Sequence, residues 1–595
     1  MINNQSILKN DDVSNSVRTR YAPSPTGPNH IGGVRTALYN YLFAKKHGGK
    51  FILRIEDTDS KRFVPGAEEY IIESFKWLGL DFDEGPNVGG SYGPYKQSER
   101  KNIYKDYALM LINKGLAYYA FDSSDDLDQA RKIDSHFSYD YNSRKSLKNS
   151  LTLSQEEVKH LTETSNNWTI RIKYPDQPTT IVVNDIIRGV VKVESDTLDD
   201  KVIWKCIDQL PTYHLANIVD DHLMKISHVI RGEEWLPSAP LHVYLYECFD
   251  WVPPLFAHLP LILKPEGNGK LSKRDGDLLG FPVFPLEWID PSGDESKNSK
   301  GYRGEGYLPK AVLNFLVFLG WNPGTEKEVY SLDELIQDFS LERVNKGGAR
   351  FNPTKANWFN AQYLKKTDTE LLVDYFKSDL EKRGIYKDDD FIFKVVDKYK
   401  GKVDFIKNLY DEVKFIFDKP IDFDKKSLKK WKYNSDKIVK DFVNKLSNLN
   451  DWFANDIQNI FNNYTINNNI NTNELASVLR LLLTGKASGT SPFDTMEIIG
   501  KIDTLDRLTK HNLSTDTNIS NLDNNVDNIK KQKINQLSAE LDGSKKSLKS
   551  TEGKLSNVNF MEKAPKDVVD NEIIKKDELI LKISKIEKEL FELQA

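Results

Sequence analysis

The chain has 595 residues, enough for about four domains at roughly 150 residues each, and its 39% hydrophobic and 29% charged residues describe ordinary globular protein. With 83 Lys and Arg against 88 Asp and Glu the net charge is −5, so any surface for a polyanion has to be a local patch. Two cysteines, Cys206 and Cys248, exclude a disulfide scaffold and a cysteine-built zinc or iron–sulfur site, and they suit a reducing, cytoplasmic setting.

Residues 1–17 are polar and acidic (Asn10-Asp11-Asp12) and read as a tail without the apolar core of a signal peptide. Val17 to Tyr21 reads as a strand. The loop Ala22-Pro23-Ser24-Pro25-Thr26-Gly27-Pro28-Asn29-His30-Ile31-Gly32-Gly33 follows, then a helix from about Val34 to Lys46 closed by Gly48 and Gly49. A second strand, Phe51 to Ile55, ends in Glu56-Asp57-Thr58-Asp59. This alternation, sustained to about residue 120, predicts βαβ units and a parallel sheet. From about 120 to 210 the pattern is mixed, with a polar helix over Leu153 to Thr162 and strands at Trp168 to Lys173 and Gly189 to Val193. Residues 202–263 return to βα character. Beyond about 310 the periodicity is helical, for example over Leu308 to Leu319 and Glu370 to Lys382. The longest apolar run, Val312 to Trp321, is half of what a bilayer requires, so no membrane contact is expected.

Pro291 to Gly306 and Asn512 to Asn528 read as surface insertions, the second as a linker over 512–530 with too few apolar groups to offset the entropy of ordering it. In residues 531–595, Ile534, Leu537, Leu541, Leu548 and Leu555 follow a heptad frame diluted by Ser544 and Thr551. Leu579, Ile583, Ile586, Leu590 and Leu593 follow a cleaner one. Two such helices joined by a turn predict an antiparallel hairpin of about 35–40 Å. A dimerising coiled coil has the same periodicity.

Two segments carry chemistry. A glycine-bearing loop feeding a helix N-terminus, as at His30 to Gly33, is a site for phosphate or another anion. Lys270-Leu271-Ser272-Lys273-Arg274, preceded by Gly267-Asn268-Gly269, places two lysines three apart in a loop where both can reach one set of phosphate oxygens. No Gly-Lys pair has Walker spacing, so an ordinary ATPase or GTPase is not expected.

Together, Ala22-Pro23-Ser24-Pro25-Thr26-Gly27 with His30-Ile31-Gly32-Gly33, and the Lys270 to Arg274 segment, resemble the HIGH and KMSKS signatures of class I aminoacyl-tRNA synthetases. Arg54-Ile55-Glu56-Asp57-Thr58-Asp59, Pro211 to His222 and Val229 to Trp235 are similar to glutamyl-tRNA synthetases of the bacterial type. The resemblance runs from about Val17 to Lys510 and weakens after 365. The tetrad ends in Gly33 where the signature has histidine. Tyr119-Ala120-Phe121-Asp122 stands where many relatives begin a zinc knuckle, so no zinc is expected. In the tail, Lys554-Leu555-Ser556-Asn557, Phe560 and Lys563-Ala564-Pro565 with Val568-Val569 resemble the turn of the tRNA-binding arm of valyl-tRNA synthetase.

The resemblance implies a multidomain protein. Its catalytic region, 18–350, would be an α/β Rossmann-like fold with an inserted α+β acceptor-binding domain at about 97–210 and a stem-contacting part at about 265–350. An all-α anticodon-binding domain (351–511), a linker (512–530) and a C-terminal helical hairpin (531–595) would follow. It implies activation of L-glutamate by ATP with Mg²⁺, with no metal held by the protein itself, and transfer to tRNA(Glu) by a cytoplasmic monomer. His30, Lys270 and Lys273 would be catalytic. Arg20, Ser24, Glu56, Tyr213, Asn217 and Arg231 would bind glutamate. Gly32, Gly33, Glu234, Trp235, Leu263 and Ser272 would join the catalytic trio around ATP. Two alternatives stay open: an enzyme that also charges tRNA(Gln), and a non-catalytic tRNA-binding relative. Residues 391–450, with 15 Lys and Arg against 9 Asp and Glu, are the mildly basic stretch in the expected anticodon-binding part.

Overall fold

The computed structural model describes residues 16–59, 62–428, 435–510, 518–557 and 565–594. Most of the polar tail, part of the expected linker, and Phe560, Lys563 and Ala564 of the expected arm turn lie outside the described residues. The chain forms two compact units, 1–414 and 415–595.

In the first unit, strand Arg18–Tyr21 pairs in parallel with Lys50–Leu53, and helix Ile31–Lys46 makes the crossover. The helix starts three residues before the expected Val34 because the His30 side chain caps it, accepting from the Gly32 N–H at 3.1 Å. It ends where expected. Gly48 takes φ +61°, and a Cβ on Gly49 would lie 2.0 Å from the Val17 carbonyl oxygen. Strand His228–Gly232 runs parallel to Leu255–Leu259 along its whole length. Ser227 joins the two strand pairs, its hydroxyl accepting from Arg18 N–H at 2.8 Å and its own N–H donating to the Arg18 carbonyl at 3.0 Å.

The segment expected as one insertion, 97–210, divides. Strand Thr180–Asp185 adds to Leu255–Leu259 in parallel at the Phe256–Asp185 pair, and its hairpin partner Gly189–Glu194 lies outside it. Period-two burial explains the placement: Ile181 and Val183 are buried while Thr180 and Val182 are exposed. The rest forms an antiparallel sheet of Ala117–Ala120, Thr169–Ile172, Val202–Lys205 and Leu210–Pro211. The polar helix expected at 153–162 is Gln155–Thr164, shifted by a reciprocal cap between Ser154 and Glu157.

Pro291 to Gly306 is a loop with two short helical turns, Glu295–Lys297 and Gly301–Gly304. Helix Pro309–Phe318 packs on the crossover helix and on Pro353–Lys366. Phe315, Phe351, Phe359 and Tyr363 share the core of the first unit, so the packing runs straight through the expected boundary at 350/351.

The second unit contains a core built from helices Ser435–Ser447, Ala454–Asn467, Thr472–Thr484 and Pro492–Thr509, with Phe442, Phe461, Leu479 and Met496 at its centre. In the tail, helix Asn518–Leu555 begins inside the segment expected as a linker and packs on Lys566–Gln594. The pairs Lys545–Glu587 (2.7 Å), Lys554–Glu572 (2.6 Å) and Lys582–Glu540 (2.8 Å) make the two antiparallel. Leu537, Ile586 and Leu590 are buried along the seam with Ile534 and Leu541 beside them, and Ser544 and Thr551 are buried as well. Among the described residues no helix is long and apolar enough to cross a membrane.

Several imidazoles are packed into the first unit as neutral groups. His222 stacks on Trp251 at 3.7 Å and His228 lies against Phe43 at 4.7 Å, and burial lowers both to about 4. The unfolded chain takes up these protons below about pH 6.5 and the folded chain only near pH 4, so stability rises with pH across that window. Thermal melts should show a lower Tm at pH 5 than at pH 7. His222→Phe should reduce the difference. Equal Tm values at the two pH values would contradict the assignment.

Candidate active site

The C-terminal ends of the parallel strands open on a cavity of about 920 Å³, where α/β sheets carry their ligands. The loop after the first strand supplies Ser24, Asn29, His30, Gly32 and Gly33, and Glu56 follows the second. Tyr213 and Asn217 come from helix Tyr213–Leu223; Arg231, Glu234 and Trp235 follow at the next strand end. Lys270 closes one side.

His30 has a defined protonation state. Its Nδ1 accepts from Gly32 N–H, which leaves the proton on Nε2, and that nitrogen is buried without a partner. Burial, with Lys270 nearby, lowers the imidazole to about 4. It is therefore a neutral donor, at a helix N-terminus whose dipole also favours an anion. Glycine is required at the tetrad's last position: a Cβ on Gly33 would lie 2.5 Å from Tyr21 Oη and 2.6 Å from Asn29 Oδ1, and those two atoms hydrogen-bond at 2.7 Å.

Behind the cavity lies a buried ion network. Asp221 accepts from Arg20 Nε at 3.0 Å and Arg54 Nη1 at 2.7 Å; Asp220 accepts from Arg100 Nε at 2.7 Å, Gln97 at 2.9 Å and Tyr104 Oη at 2.8 Å. Glu56 Oε1 accepts from Arg54 Nη2 at 3.0 Å and Asn217 Nδ2 at 3.3 Å. Burial alone would raise the Asp221 carboxyl, but Arg20 and Arg54 outweigh it and hold it below the usual range. For Glu56 burial wins over Arg54, and its carboxyl is raised. Arg20, Arg54 and Arg100 thus face Glu56, Asp220 and Asp221, three cations against three anions.

Arg231 is different. It is 4% exposed, and the groups that hold it are all neutral: Tyr213 Oη at 3.1 Å, His242 Nδ1 at 3.2 Å, His258 Nε2 at 3.0 Å and the Trp235 carbonyl at 3.4 Å. Among the described residues no carboxylate lies within ion-pair distance of it. Burial lowers its affinity for the proton. Tyr213 lies tilted on Trp235 at 4.4 Å, and both rings line the cavity.

The expected ATP residues separate into two groups. Lys270 Nζ pairs with Glu234 Oε1 at 2.7 Å beside Trp235, on the cavity wall. Leu263, Ser272 and Lys273 are not on that wall. Leu263 pairs with Arg350 in a short strand, Ser272 caps helix Lys273–Leu279 with Asp275, and Lys273 Nζ is held by Asp277 at 3.0 Å and by the Ser296 carbonyl. The roles of Arg54, Asp220 and Asp221 are not anticipated by the sequence motifs. Two adjacent aspartates on an otherwise apolar helix face (Leu215, Ile218, Val219) were the available signal, since buried carboxylates require cations.

Asp221→Ala should strip Arg20 and Arg54 of a shared buried counter-ion and cost about 3–5 kcal/mol. Denaturant unfolding should report the loss. A change below about 1 kcal/mol would show that water or another acidic group compensates.

Residues 16–358 match the family "tRNA synthetases class I (E and Q), catalytic domain". Residues 368–512 match an anticodon binding domain, and 529–594 match the valyl tRNA synthetase tRNA binding arm. The glutamate–tRNA ligase of Phocaeicola vulgatus is 53% identical over 83% of this chain and 97% of its own length. That of Christiangramia forsetii is 51% identical over 84% and 99%. A crystal structure of a glutamate tRNA ligase from Elizabethkingia meningosepticum, in complex with its amino acid, superposes with a TM-score of 0.75 at 48% identity, covering 83% of this chain and 98% of that one. With the ends of the parallel strands arranged as described and relatives matched over nearly their full lengths, this chain belongs to the glutamate–tRNA ligases of the class I aminoacyl-tRNA synthetases.

Proposed function

We propose that the cavity binds L-glutamate beside ATP, and that charge decides the fit. Glutamate at neutral pH brings two carboxylates and one ammonium, a net −1. The ion network is already balanced, and Arg231 is a buried cation whose direct partners are neutral. That observation carries the reading: Arg231 takes a carboxylate of the substrate. Glu56 receives the ammonium. Arg20, whose Nε and Nη2 are engaged by Asp221, offers Nη1 to the substrate side chain with Tyr213 and Asn217, and Ser24 adds a polar contact.

The α-carboxylate then attacks the α-phosphorus of ATP, forming the acyl–phosphate bond as the bond to pyrophosphate breaks. In the second step a hydroxyl of the tRNA's 3′-terminal ribose attacks the acyl carbon and AMP leaves. Such steps rely on positioning and charge neutralisation. His30 donates from Nε2 to the phosphates, Gly32 and Gly33 allow close approach at the helix N-terminus, and Glu234 and Trp235 flank the adenosine, with Leu263 beyond. Lys270 and Lys273 neutralise the pyrophosphate, with Ser272 between them; Lys273 does so after leaving Asp277 and the Ser296 carbonyl. ATP enters as its Mg²⁺ complex. Among the described residues no group of three or more His, Cys, Asp or Glu side chains is gathered as a metal site, and in this reading the ion arrives with ATP.

The tRNA is read by parts. Residues of about 97–210 hold the acceptor end, about 265–350 the inner stem, and 351–511 the anticodon; the anticodon-binding match over 368–512 supports the last. We take the enzyme to be specific for tRNA(Glu). Charging purified glutamate and glutamine tRNAs with labelled glutamate tests this. Product on both identifies an enzyme with relaxed choice, and product on neither a non-catalytic relative.

Lys273→Ala should slow adenylate formation about a hundredfold, or roughly 2.7 kcal/mol of barrier, and leave glutamate affinity near normal. An unchanged single-turnover rate would remove Lys273 from the chemistry. The hairpin gives the protein further cations for the tRNA phosphates, in keeping with its family match and with the 6 basic against 3 acidic residues of 531–555. Deleting 512–595 should weaken tRNA binding and flatten its salt dependence by about 0.9 log unit for each phosphate no longer neutralised. A fall from dimer to monomer in light scattering, with the salt slope intact, would identify a dimerising tail instead.

A further inference from the structure

Arg231 is held by imidazoles. Its Nε donates to His258 Nε2 at 3.0 Å. On its other side His258 Nδ1 meets Asp185 Oδ2 at 2.6 Å, with both side chains 0% exposed. Asp185 is itself fixed, Oδ1 accepting from the Ile187 N–H at 2.9 Å and the Arg188 N–H at 2.7 Å and Oδ2 from the His258 N–H at 3.1 Å. These hydrogen bonds set one tautomer: Nδ1 keeps its proton and donates it in a hydrogen bond to the carboxylate, so Nε2 presents its lone pair to the guanidinium.

We propose that His258, oriented by Asp185, is a positioning residue for Arg231, holding the guanidinium in place for the substrate carboxylate while keeping a carboxylate of the protein out of contact with it. This rests on the reading of Arg231 as the partner of glutamate. An acidic side chain at position 258 would fix the arginine equally well but would neutralise it and compete with the substrate. The ring works as a spacer. It transmits the orientation of Asp185 and leaves the negative charge one imidazole away. Tyr213 Oη and His242 Nδ1, on Nη1, are neutral acceptors of the same kind. With Nε and both Nη1 protons taken, the Nη2 side of the fork, otherwise met only by the Trp235 carbonyl at 3.4 Å, is where a carboxylate adds.

The test is steady-state aminoacylation of tRNA(Glu) by the full-length chain, with KM measured separately for glutamate, ATP and tRNA. His258→Asn keeps a polar group near Asp185 but does not reach Arg231. It should raise the glutamate KM about tenfold or more with kcat and the other two KM values within about threefold. His258→Gln, whose Oε1 falls near the position of Nε2, should recover most of the loss. Should His258→Asn fail to fold, Asp185→Asn carries the same comparison, with an expected rise of about threefold or more in the glutamate KM alone. A glutamate KM within twofold of the parent in His258→Asn, or a loss spread equally over all three substrates, overturns the proposal. Arg231→Leu separates the layers. If it raises the glutamate KM strongly while the His258 variants do not, only the positioning role fails. If it leaves the glutamate KM unchanged, the carboxylate reading itself fails.

Discussion

Asp220 and Asp221 stand side by side on one helix and anchor arginines from three other parts of the chain: Arg20 on the first strand, Arg54 after the second, and Arg100 in the short turn Gln97–Arg100. Ions buried to this degree are costly to desolvate and are stabilised only by close partners. The geometry of the strand ends is therefore constrained by charge as well as by apolar packing. None of these side chains can shift far without leaving another ion alone in a low-dielectric interior. The cavity inherits its rigidity from that constraint, and Glu56 and Asn217 are placed by it before any ligand arrives.

A balanced interior also makes one unbalanced group conspicuous. Arg231 is surrounded by a phenol, two imidazoles and a carbonyl, an arrangement that orients a cation without quenching it. His30 shows the same pattern elsewhere on the cavity wall: one nitrogen is used to start a helix and the other is left as a buried donor. In both cases a side chain on the cavity wall is held by neutral groups of the protein.

Much of this was legible in the sequence, for identifiable reasons. The strand–loop–helix around His30, the helical regions after 310 and the paired heptads of the tail follow from local periodicity and turn chemistry, which neighbours in the chain specify. Most of the expected glutamate and ATP residues meet at one cavity because they lie in motifs read as contiguous segments. What escaped depended on distant packing. The hairpin at 180–194 joins the parallel sheet through one face of Ile181 and Val183, and nothing local reveals which sheet will take it. The position of Lys273 is set by Ser296, in a loop read only as an insertion. The structural importance of Asp220 and Asp221 depends on arginines more than a hundred residues away.

The placement of that hairpin has a mechanical consequence. Its first strand ends at Asp185, in register with Phe256, two residues before His258 on the neighbouring strand. The chain thus travels out to build the small antiparallel sheet, touches the parallel sheet at Asp185, and returns outward before reaching helix Tyr213–Leu223. Sliding or tilting that hairpin by even an ångström would draw Asp185 off the His258 ring and loosen the grip on Arg231. The excursion that carries the outer sheet and the cavity around Arg231 are geared together at a single strand pair.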